Sequence, residues 1–356
     1  MNSRVAQLLG RLPWAENALM LIVPLLAVAV AIDLYDNLML KRILIGMFIN
    51  LVLVVGLQLF TGNSGLVSFG HISFMAIGAY ASVLLIMSPA KKVYTLPDLT
   101  GPLSQIEMPF IPGILLAAAF TAVIAAFIGW PLMRLSGSAA TMATFALLII
   151  THVILINAAT YTRGTRTMYG LENYTTLWMS AFWAVLIIIT GFVFRESRVG
   201  LMLRASREQQ EAASVMGVNI VIVRWVAWVV SAFICALGGA LWAHFMMVIS
   251  PYTMYMHTTF LTVAMLIVGG TGSVSGAVAG TIAITGLFEA LRAMEIRISA
   301  FRIAGQTAAG FTEVWLGVAM ILLVVLRPMG LTMGQEIRLP ARLRGRLEAR
   351  TPKSEG

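Results

Sequence analysis

The chain has 356 residues, of which 59% are hydrophobic and only 11% are charged, and its mean hydropathy is +0.90. Soluble domains carry about 25% charged residues, so this composition excludes a soluble globular protein and predicts an all-α integral membrane protein. The net charge of +9 is then first a signal of membrane orientation, and the single cysteine, Cys235, excludes an intrachain disulfide.

Ten apolar runs follow a polar N-terminal segment, residues 1–17. They are long enough to be predicted as membrane helices rather than barrel strands. The runs cover residues 18–32, 43–60, 72–87, 114–130, 138–157, 177–194, 225–247, 257–268, 277–291 and 313–326. The sequence therefore predicts about ten transmembrane helices in one membrane domain, 18–333. A basic tail, 334–356, follows this domain, and we expect it to be disordered beyond Gly334.

The distribution of positive charge predicts the orientation of these spans. Ten spans place both termini on the same side of the membrane. If that side is the cytoplasm, the cytoplasmic segments hold 15 Lys and Arg residues and the opposite segments hold nine. Because cytoplasmic loops carry an excess of Lys and Arg, we expect both termini to be cytoplasmic. The polar loop 195–224 then lies in the cytoplasm as well.

The longest strongly polar run between two apolar regions is Arg204–Asn219. Ser206 and Gln209 have the spacing of a capping box, and Gly217 stands where a glycine commonly ends a helix. The pattern predicts one helix, Arg207–Met216, of about 15 Å, which is marginally stable alone in water. We expect it to dock on a partner, and the alternative is a solvated connector between two membrane helices. Its apolar face comprises Ala205, Ala212, Val215 and Met216.

Two Gly/Ser-rich stretches interrupt apolar runs, one in each half of the chain. They are Leu57–Gly70 and Met265–Ala277. Paired interruptions of this kind predict a transport path through the membrane, and the alternative is a pair of tight turns at the membrane surface. We expect His71 to fix the backbone at the first stretch rather than bind solute. The predicted path residues are neutral: Asn50, Gln58, Gly62, Asn63, Ser64, Ser68, His71, Thr141, Thr144, Gly269, Gly270, Gly272 and Ser273.

The sequence contains little that indicates an enzyme. It has no phosphate-binding G-x-x-x-x-G-K-[ST] loop and no G-x-S-x-G nucleophile motif, and its four histidines are too scattered for a short metal-binding motif. We therefore predict no catalytic residue, no cofactor and no metal site. No charged residue lies at the centre of a predicted span, which argues against an ion-coupled pump and suits a zwitterionic or uncharged solute.

Four ordered motifs resemble one family of transport proteins. Glu211-Ala212-Ala213 followed by Gly217 matches the E-A-A-x-x-x-G loop of permeases of ATP-binding-cassette importers. The ordered set of motifs resembles the permeases of the branched-chain amino-acid (Liv) type, and within them the M-like subunit. The four stretches are Gly62–Tyr80 (GNSGLVSFGHISFMAIGAY), Pro131–Leu147 (PLMRLSGSAATMATFAL), Arg198–Gly239, which contains the E-A-A match and resembles the coupling loop and next helix, and the pair Val268–Gly276 and Arg327–Leu331. Together they cover the chain from about residue 43 to residue 331.

The sequence also departs from the family pattern. Ser64 stands where the family often has Gln, and the segment 162–171 replaces a T-G-G-x-x-G-L stretch. Since the family also includes permeases for urea and short amides, these departures leave the substrate open.

The resemblance implies a subunit that carries branched-chain or other hydrophobic amino acids across the bacterial inner membrane. Its partners would be a second, unlike permease subunit, two cytoplasmic ATPases that hydrolyse ATP, a periplasmic substrate-binding protein and the surrounding lipid, with no nucleic acid. The alternatives are a permease for urea or short amides, a stand-alone secondary transporter or channel, and a membrane-embedded enzyme. The residues implied in coupling to the ATPases are Arg204, Arg207, Glu208, Glu211, Ala212, Ala213 and Gly217.

Overall fold

The computed structural model describes residues 13–301, 310–327 and 330–336, and these residues form an all-α bundle. The β pairing within them is limited to one bridge between Met168 and Ile249. The fourteen α-helices of the described residues are α1 (Pro13–Tyr35), α2 (Leu38–Ser64), α3 (His71–Ile86), α4 (Pro89–Thr95), α5 (Phe110–Leu132), α6 (Gly137–Asn157), α7 (Ala159–Thr162), α8 (Leu177–Glu196), α9 (Arg198–Glu208), α10 (Gln210–Val215), α11 (Ile220–Met246), α12 (Met256–Gly269), α13 (Val274–Phe301) and α14 (Phe311–Leu326).

Ten of these helices correspond to the ten predicted apolar runs. Eight are long and apolar enough to cross a membrane, when the 3₁₀ turn ahead of α12 is counted with that helix. The other two, α3 and α14, are apolar helices of 16 residues each. The prediction of about ten membrane helices in an all-α fold is confirmed. Large apolar side chains such as Phe127 and Val325 are exposed on the outside of the bundle, as a surface that faces lipid requires.

Several helices extend beyond the predicted runs, and three of these extensions are informative. α1 begins at Pro13, inside the segment predicted to be polar, because proline has the backbone angle that the first turn of a helix needs. α2 continues to Ser64, and the Asn63 side-chain amide donates to the carbonyl oxygen of Leu59 at 2.9 Å within its last turns. α13 continues to Phe301, ten residues past the predicted end of its run at residue 291.

The predictions for the chain ends fall largely outside the described residues. Residues 1–12 of the N-terminal segment and residues 337–356 of the basic tail lie there. The described start of the tail contradicts the expected disorder beyond Gly334, because the side chain of Glu336 is hydrogen-bonded to the bundle.

Helices α2 and α11 form the centre of the bundle. In α2, 78% of the most apolar window is buried, more than in any other candidate span of the described chain. Trp228 of α11 is fully buried, and its ring lies 4.9 to 5.2 Å from the rings of Phe60, His71 and Phe74. Because lipid tails are as apolar as these side chains, such contacts stabilise the bundle by close packing rather than by removal from water.

The bundle has two ends because successive membrane helices run antiparallel. We call the end that carries α9 and α10 the α9 end. At the opposite end, Trp178 at the start of α8 donates to the Asp33 carboxylate near the end of α1 at 3.1 Å. The loop between α3 and α5 also lies there, and the buried Lys92 orders it by donating to the carbonyl oxygens of Leu103 and Ile106 at 2.9 and 2.5 Å. Burial lowers the pKa of the Lys92 ammonium.

Candidate coupling site and solute path

The segment predicted as one coupling helix is two helices in the structure. α9 ends at Glu208, Gln209 is extended with φ −153° and ψ 105°, and α10 begins at Gln210. The prediction of a continuous helix with a capping box was wrong. Ser206 is not at a helix start, because it lies inside α9, where its hydroxyl donates to the carbonyl oxygen of Leu203 at 2.7 Å. The residue that caps α9 is Ser197.

The predicted end of the coupling segment is confirmed. Gly217 has φ +85°, a left-handed conformation that glycine adopts without steric cost. Its N–H donates to the Ser214 carbonyl oxygen at 3.0 Å, and the next N–H, of Val218, donates to that of Ala213 at 3.1 Å. These are the two bonds of a Schellman motif, which satisfies the last carbonyl groups of α10 and turns the chain toward α11.

The outer surface of α10 is apolar and exposed. The side chains of Val215 and Met216 are 88% and 73% exposed, and Ala212 is exposed beside them. The carboxylates of Glu208 and Glu211 are exposed at the same end. Ala213, by contrast, is buried against the bundle. Two large apolar side chains at the tip of a short helix form a surface suited to a protein partner. We call Ala212, Val215 and Met216 the α10 tip.

The two predicted arginines turn away from this surface and toward the bundle. Arg204 donates to the carbonyl oxygen of Arg195 at 3.1 Å and lies 3.7 Å from the Glu196 carboxylate. Arg207 donates to the carbonyl oxygen of Gly62, in the last turn of α2, at 2.5 Å. The predicted coupling residues therefore separate into an outward group, Glu208, Glu211 and Ala212, and an inward group, Arg204, Arg207 and Ala213, while Gly217 ends α10. Arg207 directly joins the coupling segment to the first Gly/Ser-rich stretch.

The first stretch is non-helical only between α2 and α3, over residues 65–70, which we call the first break. His71 fixes its end, since one ring nitrogen lies 2.8 Å from the hydroxyl of Ser68 and the other 2.8 Å from that of Ser231 on α11. The N–H of Phe69 donates to the hydroxyl of Thr144 on α6 at 3.3 Å. Side chains from two other helices thus hold the first break in place, and His71 has the structural role expected of it.

The second stretch is non-helical between α12 and α13, over residues 270–273, which we call the second break. The segment 330–336 lies against it. The N–H groups of Leu331 and Thr332 donate to the carbonyl oxygens of Val268 and Gly269 at 2.8 and 3.1 Å. The hydroxyls of Thr332 and Ser273 lie 3.0 Å apart. Backbone pairing with a distant part of the chain therefore supports the second break.

Glu336 completes this support. Its carboxylate accepts the N–H groups of Val274 and Ser275, the first residues of α13, at 2.9 Å each, and it forms an ion pair with Arg195 at the end of α8. A carboxylate at a helix N-terminus satisfies unpaired N–H groups and interacts favourably with the helix dipole. Glu336 therefore connects α8, next to the coupling segment, to the second break.

The two breaks meet at the α9 end. A Cβ atom at Gly62 would overlap the carbonyl oxygen of Thr271 in the second break. Only glycine at this position therefore lets the end of α2 lie so close to the second break. A cavity of about 400 Å³ opens between the breaks and the coupling segment. It is lined by Thr61, Ser64, Gly65, Leu66, Val67, Gly137, Arg207, Gln210 and Thr271.

Most of the predicted path residues gather around this cavity or the breaks. Asn50 is the exception, since it lies in the middle of α2 and lines a larger cavity of about 750 Å³ toward the opposite end of the bundle. Between the residues of α2 that line the two cavities, Leu53 and Leu57 are buried, and together with Phe69 they border a gap too small for a water molecule. The structure thus has a cavity at each end and a packed layer between them.

Sequence reasoning missed several residues at this site. Arg195, Glu336 and Ser231 have local sequence surroundings that indicate only a helix end, a polar tail and a helix interior. Their partners lie far along the chain; for example, Ser231 is 160 residues from His71. The motif Arg327–Leu331 did indicate that the segment after α14 belongs to the membrane domain, and Leu331 does pair with Val268 beside the second break. Among the described residues, no group of three His, Cys, Asp or Glu side chains is placed to hold a metal ion.

Comparison with known proteins gives a consistent picture. A family model described as "Branched-chain amino acid transport system / permease component" matches residues 39–326. The chain is 27% identical over 264 residues to the high-affinity branched-chain amino acid transport system permease protein LivH of Escherichia coli (strain K12). This alignment covers 67% of this chain and 80% of that protein. It is 24% identical over 317 residues to the high-affinity branched-chain amino acid transport system permease protein LivM of Salmonella typhimurium. This second alignment covers 80% of this chain and 67% of that protein. No solved structure matches the chain.

Proposed function

Because the chain belongs to the family of branched-chain amino acid transport permease components, we propose that it is a membrane subunit of an ATP-binding-cassette importer. In this role it carries branched-chain or other hydrophobic amino acids across the bacterial inner membrane, with both termini in the cytoplasm. The observation that carries the coupling mechanism is the hydrogen bond from Arg207 of α9 to the carbonyl oxygen of Gly62, because it joins an exposed coupling segment to the last turn of α2, directly ahead of the first break.

The proposed complex contains the partners implied by the sequence. The chain itself has no phosphate-binding loop, so ATP is hydrolysed by two cytoplasmic ATPase subunits, one of which binds the α10 tip. A second, unlike permease subunit packs beside this one, and a periplasmic binding protein delivers the solute. We propose the M-like position for this chain because the LivM alignment covers 80% of it and the LivH alignment covers 67%, although the identity to LivH is higher, at 27% against 24%.

Two charged side chains transmit the movement of the coupling segment in this proposal. When the ATPases close, they displace α10 and, through it, α9. Arg207 then carries the displacement to the end of α2, and the Arg195–Glu336 ion pair carries it from α8 to the start of α13. Both breaks move relative to the core, which opens the packed layer around Leu53 and Leu57 and lets solute pass between the two cavities.

Disruption of the coupling segment tests the ATPase assignment. Glu211→Lys reverses an exposed charge beside the α10 tip, and Gly217→Pro removes both the left-handed conformation and the N–H that end α10. We expect both variants to insert in the membrane and to lose co-purification with the ATPase subunits. The matched control is Glu107→Lys, an equivalent change at an exposed site at the opposite end. If both variants retain the ATPases and import solute normally, the coupling assignment is wrong.

Permeases for urea or short amides are the alternative within the same family. Such solutes are uncharged, whereas an amino acid is a zwitterion. Uptake measured in vesicles that contain the complete transporter and its binding protein separates the two, with leucine, isoleucine, urea and acetamide supplied at equal concentration. Import of urea or acetamide without import of leucine or isoleucine would refute the proposed substrate class.

A further inference from the structure

The larger cavity has the size and wall of a small-molecule site. Its volume of about 750 Å³ lies within the range of ligand pockets, residues of helices α2, α11, α12 and α13 line it, and it opens to the outside of the subunit. The wall is mainly apolar and includes Met47, Trp242, Leu261, Met265 and Phe288. An apolar amino-acid side chain fits such a wall, whereas a small polar amide would leave it without matching contacts.

Polar groups on two facing helices converge on the same space. On α13, Thr285, Glu289 and Arg292 are spaced so that they lie on one helical face, and on α2 the same holds for Arg42 and Asn50. The carboxylate of Glu289 lies 3.9 Å from the guanidinium of Arg292, so this ion pair is loose. The cavity therefore offers both a carboxylate and guanidinium groups to a bound molecule.

Thr285 supplies an independent indication of a ligand. Its side chain is buried with 9% exposure, it lines the cavity, and its hydroxyl has no hydrogen-bond partner in the structure. One turn earlier on the same helix, the hydroxyl of Thr281 donates to the carbonyl oxygen of Ala277 at 2.8 Å, as threonines in helices commonly do. A buried hydroxyl without a partner is costly, and a polar ligand in the cavity would satisfy it.

The charge at the cavity selects the class of ligand. Arg42, Arg292 and Arg297 contribute three positive charges against one negative charge from Glu289. A group of guanidinium donors around an apolar pocket recognises a carboxylate, and the single acidic group recognises an ammonium. Urea and short amides carry neither charge.

We propose that this cavity is a solute-binding site within the subunit that holds the zwitterion of an apolar α-amino acid. The solute carboxylate binds Arg42 and Arg292, its ammonium binds Glu289, and its side chain packs on the apolar wall. This inference rests on the proposed function and deepens it, because it assigns part of the substrate selectivity to this chain.

Protection from a thiol reagent tests the site directly. The native cysteine, Cys235, is buried, so a Met47→Cys substitution places a single accessible thiol in the cavity. The assembled transporter in vesicles is treated with a small water-soluble thiol reagent. We expect leucine at ten times its dissociation constant to slow labelling about tenfold, because occupied sites are shielded. We expect urea, acetamide and leucinamide, which lacks the carboxylate, to give much less protection. Val93→Cys, at an exposed position of the short helix α4, is the control and should be labelled at the same rate with or without leucine.

Filling the cavity gives a second test. A Cβ atom at Gly46 meets no atom within 4 Å, so Gly46→Leu fills space in the cavity without a backbone clash. We expect it to reduce leucine import at least tenfold, which corresponds to about 1.4 kcal/mol. The matched control is Gly286→Leu, since a Cβ atom at Gly286 also meets no atom and this residue does not line the cavity.

The outcomes separate the site from the function. If the unmodified transporter imports no apolar amino acid, the proposed function fails. If it imports leucine but leucine does not protect Met47→Cys, or if Gly46→Leu imports leucine at the normal rate, the site inference fails while the function stands. Protection by urea or acetamide equal to that by leucine would overturn the assigned ligand class.

Discussion

The two breaks look alike in sequence but are held in place by different means. Both are short Gly/Ser-rich interruptions of buried helices, at residues 65–70 and 270–273. The first is held from within the bundle by side chains, above all by His71 between Ser68 and Ser231. The second is held by backbone pairing with the segment 330–336, which follows α14 in the chain. The difference shows that two stretches of similar sequence can be stabilised by different kinds of contact with different parts of the chain.

Each break has one charged connection to the region around the coupling segment. Arg207 of α9 reaches the last turn of α2, directly ahead of the first break, and the pair of Arg195 and Glu336 connects the end of α8 to the start of α13, directly after the second break. In the proposed importer, movement at the α9 end would reach the two breaks by separate routes. Substitutions at each route can therefore be used to test whether the breaks are independent.

The largest effect is expected at the second break, from Glu336→Gln. The substitution removes the partner of Arg195, whose side chain is only 13% exposed, and weakens the cap on α13. Removing one member of a buried ion pair costs about 3–5 kcal/mol at most, because a charge is left unpaired. Thermal unfolding of the purified protein in detergent should show a clear fall in the midpoint. The double variant Arg195→Met with Glu336→Gln should recover part of the loss, and a double variant no more stable than Glu336→Gln alone would contradict the pairing.

A smaller loss of stability is expected at the first break from His71→Leu. The substitution leaves the hydroxyls of Ser68 and Ser231 without their shared partner, and a buried polar group without a partner costs about 1–3 kcal/mol. The control is His257→Leu at the exposed start of α12. Equal unfolding midpoints for the two variants in the same detergent would show that His71 does not hold the break.

Arg207→Met is expected to affect coupling more than stability. Arg207 is partly exposed, and the substitution removes its hydrogen bond to the carbonyl oxygen of Gly62. We expect this to lower the free energy of unfolding by about 1 kcal/mol. ATP hydrolysis by the assembled transporter should continue while solute import per ATP falls. Arg198→Met, the same substitution at an exposed position at the start of α9, is the control and should leave this ratio unchanged. A normal import-to-hydrolysis ratio in Arg207→Met would remove Arg207 from the coupling route.

The smallest effect is expected from Thr332→Val, which sharpens the contrast between the two breaks. The substitution removes the side-chain contacts to Ser273 and to the Gly269 carbonyl oxygen, but it keeps the backbone N–H bond to the same carbonyl. We expect a loss below about 1 kcal/mol. Ser231→Ala at the first break should cost more, because there the side chains make the connection. The reverse order of unfolding midpoints would refute the distinction.

Local patterns in the sequence were enough to predict the elements of this fold. Apolar runs of sufficient length predict membrane helices because backbone polar groups must be paired within the membrane. Gly217 was also correctly assigned, since the left-handed end of α10 depends on that residue and its immediate neighbours. Ser206 shows the limit of the same reasoning: its capping pattern is real, but α9 begins at Arg198 and already includes it, so the helix did not start there.

The sequence by itself determined the membrane class, about ten helices, the two Gly/Ser-rich stretches and a polar segment with a glycine end. Only the tertiary structure decided that Arg207 faces inward, that the two breaks meet and that Glu336 belongs to the bundle. The physical reason is the range of the interactions. Helix formation and chain reversal depend on neighbouring residues, whereas Glu336 contacts Val274 across 62 positions and Arg207 contacts Gly62 across 145. Such contacts exist only once the helices have packed.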